Sequence, residues 1–335
     1  MSFLYVSESN CRLYIDSGRI VAEKKDGTKS ILPLEILEGV VLLSNADVTT
    51  PCVKELLERG IPLTYLSKSG AFYGRLESTK HINIERQREQ FRKGDDKRFC
   101  LGFAKRIITA KINNQCVILR RYNRYKDQKK VEGIIHELSK YLAGIERAKK
   151  IDEILGYEGA SAKKYFEALA LLVKKEFAFK GRNRMPPRDP FNSLLSLGYT
   201  LLMYEIYTAV VNKGLHPYAG FLHQDKHGHP ALVSDLMEEW RPVIVDSLVT
   251  SILNSGTLKP ADFTVSQENN AVLLEKGTLK LYLKEFEKKI RTEAKYLTYI
   301  NNSVSFRRAI QHQASHMAKA IEENDSSLYH PVRIR

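Results

Sequence analysis

The first 80 residues carry short runs of β-branched and aromatic residues, separated by residues that form turns. Six runs have this character: FLYVS, CRLYID, GRIVAEK, EGVVLLS, IPLTYLS and AFYGRLE. Asp16-Ser17-Gly18 and a Lys-Asp-Gly triplet at 25–27 are typical of hairpin turns. One helical pattern interrupts the runs at residues 51–59, with Pro51 at its start and Gly60 directly after it. The pattern predicts a β-rich domain with one short helix.

From about residue 84 onward, apolar residues recur three or four positions apart, as on one face of a helix. In the first such segment Phe99, Phe103 and Ile107 share a face, and we expect Lys111 to point elsewhere. Further helical patterns cover residues 133–150, 160–176, 192–212, 233–240, 242–254, 279–299 and 306–323. The chain is therefore predicted to be an α+β protein, with a β-rich domain at 1–80 and a larger all-α domain at 81–335.

Composition limits the class of protein. The 335 residues are 43% hydrophobic, which is enough for a folded core and excludes disorder of the whole chain. The four cysteines form no C-x-x-C pair, so a disulfide scaffold and a zinc ribbon are excluded. The most apolar stretch, 193–211, contains Glu205 and three tyrosines, and we interpret it as a buried helix. The N-terminus lacks the pattern of a secretion signal, and we expect a cytoplasmic protein.

The net charge of +14 is concentrated in two basic runs. Residues 86–130 contain fifteen Lys or Arg and four Asp or Glu, and a second run covers residues 174–188. A single charge run is usually a solvated helix face, but two separated runs favour a polyanionic partner. A membrane surface is less favoured, because no amphipathic basic helix with an aromatic face is evident. The residues most expected to contact a nucleic-acid backbone are Arg120, Arg121, Arg124, Lys180, Arg182 and Arg184.

Three places could carry chemistry. Glu158 lies between two glycines, just before the helix predicted at 160–176, where it could also be a helix N-terminal acid. His223 follows an apolar pair in a loop, and a lone histidine there is more often simply exposed or buried in a core. Asp235 and Glu238 lie three apart on one helical face, which is also typical of a solvent-facing acidic stripe. Glu239 is an alternative to Glu238 as the acid of the site, since adjacent residues are only about 100° apart on a helix.

The combination is more informative than its parts. One histidine and several carboxylates within a basic region form a mixed nitrogen and oxygen ligand set. Such a set suits Mn²⁺ or Mg²⁺ better than zinc or copper. Zinc is disfavoured further because no cysteine lies near the histidine-rich loop at 215–230.

At these residues the chain resembles the integrase and endonuclease subunit of the CRISPR adaptation machinery. The blocks that carry the resemblance are TTPCVKELLERGIPLTYLSKSGAFYGRL, LGYEGASAKKYFEAL, RNRMPPRDPFNSLLSLGYTLL and GLHPYAGFLHQDKHGHPALVSDLMEEWRP. The resemblance implies a β-sandwich-like N-terminal domain that forms a homodimer, and a helical catalytic domain. It implies Glu158, His223 and Glu238 as metal ligands and catalytic residues for Mn²⁺ or Mg²⁺, with Asp235 as an auxiliary acid.

The resemblance also implies a reaction and partners. A captured DNA fragment presents a 3′-hydroxyl, which attacks a phosphodiester at the end of a repeat in a CRISPR array. Two homodimers are expected to be bridged by a small dimeric CRISPR-associated partner protein while they hold double-stranded DNA. Two alternatives remain open: a stand-alone nuclease specific for branched DNA, and a non-catalytic scaffold that binds nucleic acid.

Overall fold

The computed structural model describes residues 2–295 and 299–334, and contacts within the chain divide it into two units. The first unit comprises residues up to 82 together with Leu279–Glu287, and the second comprises Asn83–Thr278 and the residues from 288 onward. The boundary predicted from sequence was 80/81. The sequence pattern did not show that a helical segment some 200 residues later joins the first unit.

Eight strands and one helix form most of the first unit. They are β1 Ser2–Val6, β2 Cys11–Asp16, β3 Arg19–Glu23, β4 Lys29–Pro33, β5 Leu37–Leu42, β6 Ala46–Val48, helix α1 Thr50–Glu58, β7 Leu63–Leu66 and β8 Phe72–Leu76. One sheet has the order β1-β5-β7-β8, in which only β7 and β8 are antiparallel. The other has the order β4-β3-β2-β6, in which β2 and β6 are parallel.

The two sheets share one apolar core. Leu13 and Ile20 of one sheet, Val40 and Leu63 of the other, and Leu56 of α1 are all at most 2% exposed within a single cluster. Burial on the inner face of both sheets is the organisation of a sandwich. The predicted α+β class with a β-rich N-terminal domain is confirmed.

The predicted turns form as the residue types require. Ser17 and Gly18 connect β2 to β3 with φ of 49° and 72°, the paired positive values of a tight hairpin turn. Gly60 follows α1 with φ of 72°. The sequence pattern missed β4, in which the apolar residues Ile31 and Leu32 are adjacent and do not alternate, and β6, which has only three residues.

The second unit is mainly helical. Its helices are α2 Ile84–Asp95, α3 Lys97–Asn123, α4 Lys129–Arg147, α5 Ile151–Leu172, α6 Pro190–Asn212, α7 Ala231–Met237, α8 Ser247–Ser255 and α10 Phe306–Glu322. Helix α9 Lys276–Ile290 is divided: its middle, Leu279–Glu287, belongs to the first unit and its two ends to the second. A π-helical segment, Arg241–Asp246, runs directly into α8. Two short antiparallel ribbons, β9 Phe263–Val265 with β10 Val272–Leu274 and β11 Glu293–Ala294 with β12 Val304–Ser305, accompany the helices.

Three expectations for this unit are wrong. The helix expected at 160–176 begins at Ile151, so Glu158 lies in the middle of α5 and not at a helix start. The helix expected at 279–299 ends at Ile290, and residues 296–298 of that prediction lie outside the described residues. Lys111, expected to face away from the apolar side of α3, is buried.

Helix α6 is the most apolar helix of the chain. By length and composition alone it could cross a membrane, but 67% of its most apolar window is buried inside the structure. Glu205 within it pairs with Arg307 of α10 through two hydrogen bonds, at 2.6 and 2.9 Å. The helix therefore packs as a core element of the second unit, as the sequence predicted.

Candidate active site

A cavity of about 1000 Å³ lies in the second unit and gathers half of the predicted site residues. Glu158 of α5, His223 of the loop before α7, and Glu238 just after α7 all line it. Arg182 and Arg184, expected to contact DNA, line the same cavity. Helix α5, the end of α7 and two loops therefore bring together residues that are up to 80 positions apart in the chain.

Lys111 of α3 joins the two carboxylates. Its Nζ forms an ion pair with Glu158 and lies 2.5 Å from Oε2 of Glu238. Burial alone would raise the pKa of Glu238, but the charges of Lys111 and Arg241 outweigh it and lower the pKa to about 2. Burial likewise opposes the charge of Lys111, and the two carboxylates raise its pKa nevertheless. Lys111 and Glu238 are therefore ionised together.

Asp235 holds His223 in one orientation. Its carboxylate accepts hydrogen bonds from the backbone N–H of Phe221, Leu222 and His223, at 2.7, 3.0 and 3.0 Å. Oδ1 also lies 2.7 Å from His223 Nδ1. This bond leaves Nε2 of the ring as the atom available to a ligand in the cavity. Burial lowers the pKa of His223, but its hydrogen bond to Asp235 and the negative charges of Asp235 and Glu238 together outweigh burial and raise the pKa overall.

Glu238 and Glu239 have separate surroundings. Glu239 is fully buried away from the cavity lining, where its carboxylate accepts hydrogen bonds from Tyr329 Oη and from the backbone N–H of Val332. Burial raises the pKa of Glu239 to about 7. Glu238 faces the cavity and is 3.3 Å from Arg241 Nε. The geometry therefore favours Glu238 over Glu239 as the acid of the site.

The π-helical segment brings two further charged residues to the cavity. Arg241 and Asp246 both line it. Residues five apart lie about 140° from each other on an α-helix, whereas the wider π turn brings them closer to one face. Tyr199 connects the pair: its hydroxyl donates a 2.6 Å hydrogen bond to Asp246, and its ring lies under the Arg241 guanidinium at 4.6 Å.

The basic residues divide into two groups. Arg182 is fixed in the cavity wall, because its Nη1 donates a 2.8 Å hydrogen bond to Asn192 and its Nη2 a 3.1 Å bond to Ser196. Arg184 lies beside it and is exposed. The other predicted DNA-contacting residues, at the end of α3 and before α6, are exposed but do not line the cavity: Arg120, Arg121, Arg124 and Lys180.

The donor set fits a divalent cation in its chemistry. Oε2 of Glu238 is buried, and despite its closeness to Lys111 it makes no hydrogen bond of good geometry within the described residues. An ammonium held between two carboxylates marks a position that suits a cation, and the Asp–His pair is the usual support of a metal-binding imidazole. Within residues 2–295 and 299–334, no three His, Cys, Asp or Glu side chains are close enough to hold a metal ion as they stand. Lys111 occupies the position between the two carboxylates.

Sequence reasoning missed Lys111, Arg241, Tyr199 and Asp246. Lys111 carried a usable signal, since it lies four residues after Ile107 and between Ala110 and Ile112, all three fully buried. A lysine on the apolar side of a long helix needs a carboxylate partner. Asp246 carried no such signal, because its position depends on a π turn that the sequence pattern does not reveal.

A family model described as CRISPR associated protein Cas1 matches residues 4–288. The CRISPR-associated endonuclease Cas1 of Mycobacterium tuberculosis is 34% identical over 331 residues, which is 99% of this chain and 96% of that protein. The CRISPR-associated endonuclease Cas1 3 of Thermus thermophilus is 39% identical over 266 residues, covering 79% of this chain and 78% of that protein.

Two solved structures resemble the fold throughout. A chain of a Cas6-RT-Cas1–Cas2 complex superposes with a TM-score of 0.82 at 25% identity, covering 99% of this chain and 36% of its own length. A casposase bound to an integration product superposes with a TM-score of 0.85 at 21% identity, covering 98% and 93%. At that identity the casposase shows the fold alone. The family model and the two sequence relatives show that the chain belongs to the CRISPR-associated Cas1 family.

Proposed function

We propose that the protein is a metal-dependent DNA integrase and endonuclease that inserts captured fragments into a CRISPR array. One observation carries the proposal. Glu158 and Glu238 meet at Lys111 in a cavity that also receives His223, whose ring is fixed by Asp235. Two carboxylates and an oriented imidazole, beside arginines that suit phosphate, match phosphodiester chemistry with a divalent cation.

Each residue has a distinct task in this proposal. Glu158, Glu238 and Nε2 of His223 would hold Mn²⁺ or Mg²⁺, and Asp235 would keep the imidazole in the tautomer that leaves Nε2 unprotonated. When bound, the cation would polarise a phosphoryl oxygen and offset the charge that builds on the leaving oxygen. Arg241 would keep Glu238 ionised.

The reaction itself exchanges one phosphodiester for another. The 3′-hydroxyl of the fragment attacks phosphorus, a new P–O bond forms, and the bond to the 3′-oxygen of the repeat strand breaks. The displaced strand leaves with a free 3′-hydroxyl, so no external energy source is needed. With water as the attacker, the same site would cut DNA without joining it.

The basic residues outside the cavity would hold DNA by its backbone. Arg120, Arg121 and Arg124 are exposed at the end of α3, and Lys180 is exposed in the loop before α6. Such contacts position a duplex but carry no sequence information. Arg182 and Arg184 would contact the strand that enters the cavity.

The assembly belongs to the proposal as well. We expect a homodimer and a small dimeric CRISPR-associated partner that bridges two such dimers. Support comes from the match to a chain of a Cas6-RT-Cas1–Cas2 complex over nearly the whole of this chain.

Strand transfer in vitro tests the proposal. The assay combines a fragment with free 3′-hydroxyls, a plasmid that carries a repeat array, the small partner protein, and Mn²⁺ or Mg²⁺. We expect metal-dependent joining by the wild type and its loss in Glu158→Ala, His223→Ala and Glu238→Ala. Glu153→Gln is the matched control, because Glu153 lies on the same helix as Glu158 but is exposed.

The other outcomes separate the alternatives. Cutting without joining in every metal would favour a stand-alone nuclease. Binding of DNA with neither cutting nor joining would favour a non-catalytic scaffold.

A further inference from the structure

Lys111 occupies a position that the proposed chemistry does not explain. Its Nζ contacts both Glu158 and Glu238, the two carboxylates proposed to hold the cation. The side chains of Lys111 and Glu238 are each 7% exposed, and that of Glu158 is 26% exposed. Because so little water reaches Lys111 and Glu238, the Glu238 carboxylate depends on its neighbouring cations to remain ionised at low energetic cost.

The charges around the two acids balance without a metal. Lys111 and Arg241 contribute two positive charges, and Glu158 and Glu238 two negative ones. A divalent cation added to this group would leave two positive charges uncompensated in a poorly solvated place. The other charged residues of the cavity wall do not relieve the excess, since three are cations and one is an acid: Arg182, Arg184, Lys226 and Asp246.

A phosphodiester strand would offset this excess of positive charge. Each phosphate brings one negative charge, so the charge of the site stays closer to neutral when the cation and the DNA strand bind together than when either binds alone. Two ligands that offset each other's charge at one site bind cooperatively, and the coupling is reciprocal. Lys111 determines how strongly the binding of the cation and of DNA are coupled, because it supplies one of the two positive charges already present beside the carboxylates.

We propose that Lys111 is a positioning residue that couples metal binding to DNA binding. It holds Glu158 and Glu238 as a neutralised pair, and it competes with the divalent cation for them until DNA phosphate is present. The inference rests on the proposed function, since it takes the two carboxylates as metal ligands. A lysine suits the task, because its ammonium is a compact charge on a flexible stem and can leave one partner for another.

Binding of Mn²⁺, followed by the electron paramagnetic resonance signal of the free ion, tests this inference without any turnover. The DNA is a short duplex that carries no 3′-hydroxyl and so cannot be joined. For the wild type we expect Mn²⁺ affinity to rise at least about tenfold when DNA is added, within the usual range of coupling between two ligands. Mn²⁺ bound by Glu158→Gln serves as the background and is subtracted.

Lys111→Met removes the charge and nearly keeps the length of the side chain. We expect it to bind Mn²⁺ at least about tenfold more tightly than the wild type in the absence of DNA, and to lose most of the DNA effect. Its melting temperature without metal should fall, since the carboxylates lose their counter-charge, and Mn²⁺ should raise that temperature more than in the wild type.

Two controls guard the interpretation. Lys111→Arg keeps the charge and should retain the DNA effect, which also covers the case in which Lys111→Met fails to fold. Lys105→Met is the second control. Lys105 lies on the same helix as Lys111, but its Nζ donates a 2.6 Å hydrogen bond to the Glu146 carbonyl and contacts neither Glu158 nor Glu238. Its Mn²⁺ affinity should equal that of the wild type.

The remaining outcomes overturn different claims. If Lys111→Met binds Mn²⁺ no more tightly than the wild type, with the DNA effect intact, Lys111 does not compete and the inference is wrong. If the wild type and every variant leave all Mn²⁺ free, with and without DNA, the proposed metal site itself is wrong.

Discussion

Asp235 supports the site through one carboxylate that accepts four hydrogen bonds. Three come from backbone N–H groups of residues 221–223, and the fourth comes from the His223 ring. The loop and the imidazole are therefore positioned by the same group. A substitution at this one residue should disturb both the local backbone and the orientation of the ring.

For Asp235→Asn we expect strand transfer to fall about 10–100-fold, the usual loss when the support of a metal-binding imidazole is removed. The amide would present N–H where the backbone also presents N–H, so the free energy of unfolding should fall by about 1–3 kcal/mol. Joining assays and chemical denaturation measure the two effects. The control is Asp225→Asn in the same loop, where the side chain is exposed. A wild-type joining rate in Asp235→Asn would contradict the assignment.

Glu239→Gln and Glu238→Gln should differ in kind. Glu239 accepts hydrogen bonds from Tyr329 and Val332, so Gln would set a donor against two donors and should lower the free energy of unfolding by about 1–3 kcal/mol. Its effect on Mn²⁺ affinity should be small. Glu238→Gln should abolish Mn²⁺ binding in the presence of DNA. Titration with Mn²⁺ measures the metal affinity of both variants, and chemical denaturation measures their free energy of unfolding. Loss of Mn²⁺ binding in Glu239→Gln but not in Glu238→Gln would make Glu239 the ligand.

Three predictions from the sequence show what a residue pattern can and cannot decide. Glu158 and His223 were singled out from their local context together with the family resemblance, and both line the cavity. Adjacent acids such as Glu238 and Glu239 could not be separated by spacing, because the decision depends on the buried Tyr329 some 90 residues later. Lys111 was misjudged, since a lysine near basic neighbours is ordinarily solvated.

Helix α3 would perform two tasks in the proposed function, at different points of its length. Lys111 lies in its middle between the two acids, and Arg120 and Arg121 are exposed in its last turn. A rigid helix of 27 residues fixes the separation between the proposed reaction site and the proposed backbone contacts.

Reversal of Arg120, Arg121 and Arg124 to Glu tests the second task. We expect weaker DNA binding and a shallower dependence of affinity on salt, by about 0.9 in the log–log slope for each phosphate that is no longer neutralised. Filter binding at several salt concentrations measures both. Lys54→Glu is the control, since Lys54 is exposed on α1 and outside both basic runs. An unchanged slope would exclude these arginines from the DNA-binding surface.

The π-helical segment makes stability depend on pH. Burial raises the pKa of Asp246 from 3.8 to about 6, although the Tyr199 hydroxyl donates a hydrogen bond to it. Because folding raises this pKa, the protonated Asp246 side chain contributes its full stabilisation of the native state below about pH 4. This stabilisation is lost as pH rises through about 6. Asp246→Asn should remove this decline, which amounts to about 3 kcal/mol at most. Denaturation of both proteins from pH 4 to 7 measures it, and equal slopes would contradict the assignment.

The prediction of element boundaries failed where glycines interrupt a helix. Gly156 and Gly159 lie inside α5, where each weakens the helix by about 1 kcal/mol, so the pattern indicated a loop before residue 160. Packing of α5 against α3 and α4 overrides that preference. A Cβ at either glycine would meet no described atom within 4 Å, so both glycines leave open space beside Glu158. The turns of the first unit were predictable because their geometry depends on only two residues.

At the scale of the whole chain, the four cysteines report on the two units separately. Cys11 and Cys52 belong to the first unit, Cys100 and Cys116 to the second, and each is at most 4% exposed. Burial also raises the pKa of Cys52 and Cys100 to about 11, so neither thiol reacts readily in the native state.

We therefore expect thiol reagents to label the native protein slowly and to label each pair when its own unit opens. Asp235→Asn should speed the labelling of Cys100 and Cys116 and leave Cys11 and Cys52 unchanged. Mass spectrometry of peptides after timed labelling measures each cysteine. Equal acceleration of all four would show that the two units open as one.

The charge of the whole chain was the most predictable property. A net charge of +14 in two runs indicated a polyanionic partner before any fold was known. Its distribution among tasks was not predictable, because Lys111 lies in the same run as Arg120 and yet is buried between acids. Burial of a side chain depends on which helices pack together, and local sequence does not determine that.

Residues 329–334 are bound to the back of the helices that form the candidate site. The backbone N–H of Val332 and of Ile334 donate to Glu239 and to Asn114 Oδ1, and Asn114 Nδ2 donates to the Val332 carbonyl. A protease that clips this segment would remove the donors to the buried Glu239 carboxylate, which is next to Glu238 in the chain, and to Asn114 Oδ1, which lies on α3 with Lys111. A decline in joining after such clipping would therefore result from loss of packing beside the site. It could be misinterpreted as the loss of a C-terminal segment that contacts DNA. Adding the released peptide back in trans would distinguish the two, since it would restore the melting temperature without any nucleic acid present.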